Sequence, residues 1–139
     1  MMNCYRNFYF SEKVIFLMNK KFQKQEVFFM CKYGDIYIAA KNTTCNLQRE
    51  KQTVLVVSND KVNKGSPFIT VLPIADAEKQ NKLLSCIFIG SYGMSEKNIA
   101  VVGQMTTLNK DQLLVKVGSI RGTVYAEQVK QEIKSYLGL

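Results

Sequence analysis

The stretch Val54-Leu-Val-Val-Ser-Asn-Asp60, with Asn63, Ser66-Pro67 and Thr70-Val-Leu-Pro-Ile74 after it, decides the fold. Its two ends are apolar and β-branched, which predicts strands over Thr53-Val-Leu-Val-Val-Ser58 and Phe68-Ile-Thr-Val-Leu-Pro-Ile74. Its middle holds Asn, Asp, Gly, Ser and Pro, residues that bond to the local backbone or set its torsions, and so predicts a structured turn. Upstream, Asp35-Ile-Tyr-Ile-Ala-Ala40 alternates as a strand does. Downstream, Leu83-Leu-Ser-Cys-Ile-Phe-Ile89 and Ile99-Ala-Val-Val102 add two more, set apart by turn-rich Gly90-Ser-Tyr-Gly93 and Ser95-Glu-Lys-Asn98. Five short strands at this spacing predict a small, strongly curved sheet or barrel. Pro73 cannot donate to a ladder, which predicts an edge position or a bulge for it.

Helical signals lie on both sides of this core. Asn109 is placed to cap a short helix running to Val115 or Lys116 and stopped near Gly118. Thr123 is placed to cap a longer one, striped by Val124, Val129, Ile133, Tyr136 and Leu137. The first thirty residues differ in kind, with eight of the fifteen aromatics and five cations against two acids. Ser11 can cap a helix over residues 12–25 with Ile15, Phe16, Met18 and Phe22 on one side and Lys13, Lys20, Lys21 and Lys24 on another. Such a helix can lie on a membrane or on RNA, or can cover exposed core or a sheet edge, its commoner use. The expected organisation is α+β, with an extension over residues 1–29 and a barrel domain over residues 30–139.

A chain of 139 residues and 15.9 kDa is the size of one domain. Hydrophobic residues make up 47% and charged residues 22%, which argues against disorder, and the apolar runs are too short to span a bilayer. Nineteen Lys and Arg against eleven Asp and Glu give a net charge of +8, a balance that attracts polyanions and also keeps a protein soluble. Only Arg6, Arg49 and Arg121 are arginines, so a bidentate phosphate clamp has few possible sources. The absence of His removes the commonest general base and metal ligand, and with them His-containing triads and His-based zinc sites. Cys4, Cys31, Cys45 and Cys86 form no Cys-x-x-Cys pair, so free thiols in a reducing compartment are expected, with no metal and no cofactor. Arg6, Glu12 and Lys13 interrupt what would be the apolar core of a signal peptide.

Between the first two strands lies Lys41-Asn-Thr-Thr-Cys-Asn-Leu-Gln-Arg-Glu-Lys-Gln52, where Lys41, Arg49 and Lys51 are candidate phosphate contacts, although a solvated loop has the same composition. Gln104 follows Val101-Val-Gly103 and would reach a barrel rim, able either to read a base edge or to close a local backbone bond. Tyr33, Tyr37 and Tyr92 can stack on bases, though Tyr on a half-buried strand more often packs in the core.

The ordered string around Val54 resembles the PemK/MazF family of toxin endoribonucleases. Its members open with a Gly-Asp-hydrophobic-Tyr strand, here Gly34-Asp35-Ile36-Tyr37, and continue with a Pro-Val-Leu-Val-hydrophobic-Ser-Asn-Asp segment, here Val54 to Asp60. Gln104-Met-Thr-Thr-Leu-Asn-Lys110 is similar to the family's Gln-Ile-Arg-Thr-Ile-Asp-Lys signature, and Tyr136-Leu-Gly-Leu139 to its usual ending. The likeness covers residues 30–139, and Met30-Cys-Lys-Tyr-Gly-Asp35 would make a complete family N-terminus. That leaves residues 1–29 as a lineage-specific extension or the product of an upstream start codon.

The resemblance implies a five-stranded SH3-like barrel of the CcdB/PemK/MazF kind with a C-terminal helix, a homodimer, and a cytoplasmic location in a bacterium or mobile element. It implies the toxin of a type II toxin-antitoxin system, cleaving single-stranded RNA without a metal and neutralised by a cognate antitoxin peptide. Cleavage in the family uses an Arg before the second strand and a Thr after the third, where this chain has Gln52 and Ala75; Thr106 replaces a further Arg. The catalytic candidates are then Arg49, Lys51, Gln52, Ser58 and Asp76, with Lys41, Arg49, Lys51, Asn59, Asp60, Ser66, Gln104 and Thr106 for RNA binding. The alternative is a catalytically degenerate relative that binds RNA or an antitoxin peptide without cutting.

Overall fold

β1 (Asp35–Ala40), β2 (Lys51–Val56) and β3 (Phe68–Asp76) form the centre of an antiparallel sheet, close to the bounds expected from the apolar runs. The structure, a computed structural model, describes residues 30–41, 50–77, 86–90 and 98–139. The helix expected over residues 12–25, the extension over residues 1–29, Arg49 and Tyr92 lie outside them. A short helix α1 (Asp60–Gly65) joins β2 to β3, and β4 (Cys86–Gly90) and β5 (Asn98–Val101) follow. After a 3-10 turn (Val102–Gln104) come β6 (Thr106–Asn109), a second 3-10 turn (Lys110–Gln112), β7 (Leu113–Ser119) and α2 (Val124–Leu137). The sheet runs β4-β5-β3-β2-β1-β7, with β6 also on β3. It is a curled antiparallel sheet closed by a C-terminal helix.

Both faces of this sheet are buried, which is why its central strands read as continuous apolar runs. Tyr37, Ala39, Val54, Val56, Ile69 and Val71 point into the curl and meet Cys31, Leu108 and Leu113. Ile36, Leu55 and Leu72 point the other way, toward Ile120 and Val129. α2 covers that second face with Tyr125, Ala126, Val129 and Ile133. Of the stripe expected on this helix, Val124, Tyr136 and Leu137 are instead exposed.

The segment after Asn109 corrects an expectation. Asn109 does cap, accepting at its side chain from the Gln112 backbone while Gln112 Oε1 accepts from Asn109 N–H at 2.9 Å, but the helix is a single 3-10 turn. Gln112 is buried and donates to the Ala40 carbonyl at 3.0 Å, which ties the turn to the end of β1. Leu113–Ser119 then pairs antiparallel with β1 as a strand. Thr123 is the residue before α2, yet its hydroxyl donates back to the Ile120 carbonyl instead of capping the helix.

Pro73 sits neither at an edge nor in a bulge. Val57 N–H donates to the Thr70 carbonyl at 2.9 Å, and the alternation of an antiparallel ladder then makes Val54 and Pro73 a non-hydrogen-bonded pair. The proline nitrogen therefore faces away from β2. On that side β3 pairs with β6 through Phe68 to Val71 and with β5 from Ile74 onward, so Pro73 falls in the interval between two partners. A missing donor costs nothing there.

Candidate nucleic-acid interface

The change of partners along β3 opens a fork in the sheet. β2 stays paired to β1 as far as Lys51, whereas its ladder with β3 ends at Val54 and Pro73, and Ile74, Ala75 and Asp76 pair with β5 instead. Gln52 and Ala75 are each two residues beyond the last rung, on the two arms of the fork, and both are half-buried. Lys51 is exposed beside them. The exposed Lys41 belongs to the same end of the hairpin and is held by Glu50, Nζ to Oε2 3.2 Å. Gln104 and Thr106, both exposed, lie across β3 from β2: Thr106 opposite Val71 in the ladder and Gln104 in the turn before it. The fork can offer a cation and amide donors to a phosphate, without metal or imidazole.

Ser58, Asn59, Asp60 and Ser66 lie beyond the opposite end of β2, and each has a side-chain oxygen turned onto the chain itself. Asn59 Oδ1 accepts from Val62 N–H at 2.9 Å and caps α1, while Asp60 Oδ1 accepts from Tyr33 N–H at 2.9 Å. Ser66 Oγ accepts from Phe68 N–H at 3.0 Å. Ser58 Oγ accepts from Thr70 N–H at 3.1 Å and donates to Asn63 Oδ1, and the buried Asn63 amide donates to the Ser58 carbonyl at 2.8 Å. This is the structured turn that its residue types predict. Ser58 is thus six residues along β2 from Gln52 and fully engaged, so the structure does not bring it to the fork.

Beside that turn is a groove of about 770 Å³ between the β2–α1 corner and α2. Lys61, Arg121, Lys130 and Lys134 line it together with a single carboxylate, Asp60. Tyr33 stands in its wall, donating from its hydroxyl to the Ala126 carbonyl at 2.7 Å, with Lys130 Nζ 4.9 Å from the ring centroid. The sequence names Tyr33 as a stacking candidate and Arg121 as a possible clamp, but nothing in it joins the two. Residues 33, 60, 121 and 130 meet only through the fold.

Burial, and secondarily Glu127, pushes the Tyr33 phenol up to about 12. Burial also raises Tyr37, with Asp35 and Cys31 adding to it. The folded chain therefore holds protons that the unfolded chain loses near pH 10. The stability contributed by the neutral phenols is whole below pH 10 and is lost as pH rises through 12. The urea midpoint should fall across that window, and less steeply in Tyr33→Phe; parallel curves for the two proteins would contradict the assignment. Burial likewise raises the free thiol of Cys31, which disfavours its reactive thiolate. Among the described residues no group of three Cys, Asp or Glu stands close enough to hold a metal, and no helix is long and apolar enough to cross a membrane.

A family profile described as "PemK-like, MazF-like toxin of type II toxin-antitoxin system" matches residues 32–137. The chain belongs to that family. Comparison with curated proteins finds no match. Among solved structures, an endoribonuclease from a Mycobacterial species is similar over 80% of this chain and 94% of its own, at 17% identity and a TM-score of 0.60. An endoribonuclease from a Mycobacterial species in complex with its cognate antitoxin aligns over 78% and 96%, at 17% identity and a TM-score of 0.61. The MazE-MazF complex of Deinococcus radiodurans aligns over 80% and 98%, at 12% identity and a TM-score of 0.66. At such identities the likeness is one of fold. Within this PemK/MazF chain, Gln52 and Ala75 lie at the fork, and the Ser-Asn-Asp motif builds the corner beneath the groove.

Proposed function

We propose that this chain is the toxin of a type II toxin-antitoxin pair and a metal-independent endoribonuclease acting on single-stranded RNA at the β2/β3 fork. The observation that carries this is the family match over residues 32–137. The ribose 2′-oxygen attacks the adjacent phosphorus, the bond to the 5′-oxygen breaks, and the proton lost by the 2′-hydroxyl is balanced by one gained by the leaving oxygen. The products are a 2′,3′-cyclic phosphate and a 5′-hydroxyl. Lys51, helped by Arg49, supplies the positive charge for the phosphorane; Gln52 donates to its oxygens, and Asp76 is the polar group that positions the attacking hydroxyl. Lys41, Gln104 and Thr106 extend the contact with the strand. The active species is a homodimer of the barrel formed by residues 30–139, with residues 1–29 as an extension, and an antitoxin peptide occupies the RNA site at the fork.

A second reading is favoured by one observation, the Gln and Ala at the fork: the fork binds RNA or the antitoxin peptide and does not cut. Long single-stranded RNA incubated with the purified chain in EDTA separates the two. Cyclic-phosphate ends are expected. Intact RNA at high protein excess, with binding retained, defeats the nuclease and leaves the binding protein.

A further inference from the structure

We propose that the groove between α2 and the β2–α1 corner is a second phosphate site, gripping the backbone of the bound RNA at the end of β2 away from the fork. The proposal takes its ligand from the RNA reading above and adds a separate place of contact. Of the three arginines, Arg121 is the one within the described residues, and it lines this groove. Its placement is built: a Cβ on Gly34, whose φ is +90°, would come within 2.9 Å of Arg121 Cγ, so the arginine stem lies over a glycine that leaves room for it. Among the described residues Arg121, Lys61, Lys130 and Lys134 make no ion pair with any acid, and Asp60 spends an oxygen on Tyr33 N–H. Four cations against one lining carboxylate, with Glu127 acting on Tyr33 from beside it, leave the groove positive and suited to an anion.

The choice of a phosphodiester over an acidic peptide follows from reach: a strand held at the fork needs only a few more nucleotides to arrive at this groove. Val57, Ala126, Ile133 and the Tyr33 ring give the groove apolar walls, with the Tyr33 hydroxyl already bonded and Lys130 over its ring, while the charges that line it are positive except for Asp60. The charged groups other than Asp60 are cations suited to phosphate oxygens, contacts that carry no sequence information. The groove begins at Val57, five residues and about 16 Å along the strand from Gln52, so a single strand has to run past the fork to reach it. It should therefore add affinity without sequence preference.

The test is equilibrium binding of a long 2′-O-methyl single strand, which cannot be cleaved, as a function of salt. Each phosphate contact removed should lower the slope of log K against log salt by about 0.7. Arg121→Gln with Lys130→Gln should thus lower it by about 1.4 and weaken binding about tenfold at low salt, with melting unchanged. Lys64→Gln, the same change on the exposed end of α1 outside the groove, should leave the slope alone. An unchanged slope in the double variant overturns the proposal, as does an equal loss in Lys64→Gln. Overturning it too would be a polyglutamate peptide that binds through Arg121 and Lys130 while the RNA slope stays fixed. A protein that cuts RNA in EDTA yet shows no slope change defeats only the second site; one that never cuts but shows the change keeps it.

Discussion

Replacing Gln52 by Arg and Ala75 by Thr together will speed RNA cleavage ~10²- to 10³-fold over the parent chain. Both positions are half-buried and lie two residues beyond the last rung between β2 and β3, where the strands part. A guanidinium there can bridge two phosphate oxygens, whereas the Gln52 amide can offer only neutral donors. The added hydroxyl at position 75 gives the reacting oxygen a fixed partner that a methyl group cannot. The two groups would act on one phosphorus, so the single variants should each fall short of half the combined gain in activation free energy. Single-turnover rates in EDTA measure this. A double variant that binds RNA normally and cuts no faster would place the chemistry somewhere other than the fork.

Asn63→Ala should cost about 3 kcal/mol and lower the melting temperature by about 10 °C. Asn63 is 2% exposed, and its amide bonds both the carbonyl and the hydroxyl of Ser58. That hydroxyl in turn accepts from Thr70 N–H in β3. Truncation strands the buried carbonyl and frees the hydroxyl to rotate off Thr70, so one deletion loosens three bonds joining β2, α1 and β3. Ser58→Ala keeps the bond to the carbonyl and should cost less than half as much. Equal losses from the two variants would mean that the hydroxyl, and not the amide, holds the corner.

How much of this could be seen in the sequence depended on how local the cause was. β1, β2 and β3 were legible because two buried faces demand continuous apolar residues whatever lies elsewhere. The corner after β2 was legible because Asn59, Asp60 and Ser66 each bond within a few residues or to the nearby turn at Tyr33. The same side chains are the ones their polarity offers as RNA contacts, and in the fold each spends one oxygen on a backbone N–H. β7 was misread as helix because Asn109 carries a real capping signal, and the pairing with β1 that extends Leu113–Ser119 lies some eighty residues away in sequence. The packed face of α2 was half right: Val129 and Ile133 touch the core, whereas Tyr125 and Ala126 do so because of how the helix is hung from Ile120. The groove was invisible, since its cations are spread from residue 61 to residue 134.

The position of β1 between β2 and β7 has a consequence during synthesis. Its second neighbour, Leu113–Ser119, leaves the ribosome last but for α2, roughly 4–17 s after β1 at ordinary elongation rates. Until then the nascent chain carries an unzipped hydrophobic edge and an open curl. A product truncated before residue 113 would leave that edge of β1 unpaired, and a chaperone or cognate partner has that interval in which to meet the polypeptide before it becomes a finished poison.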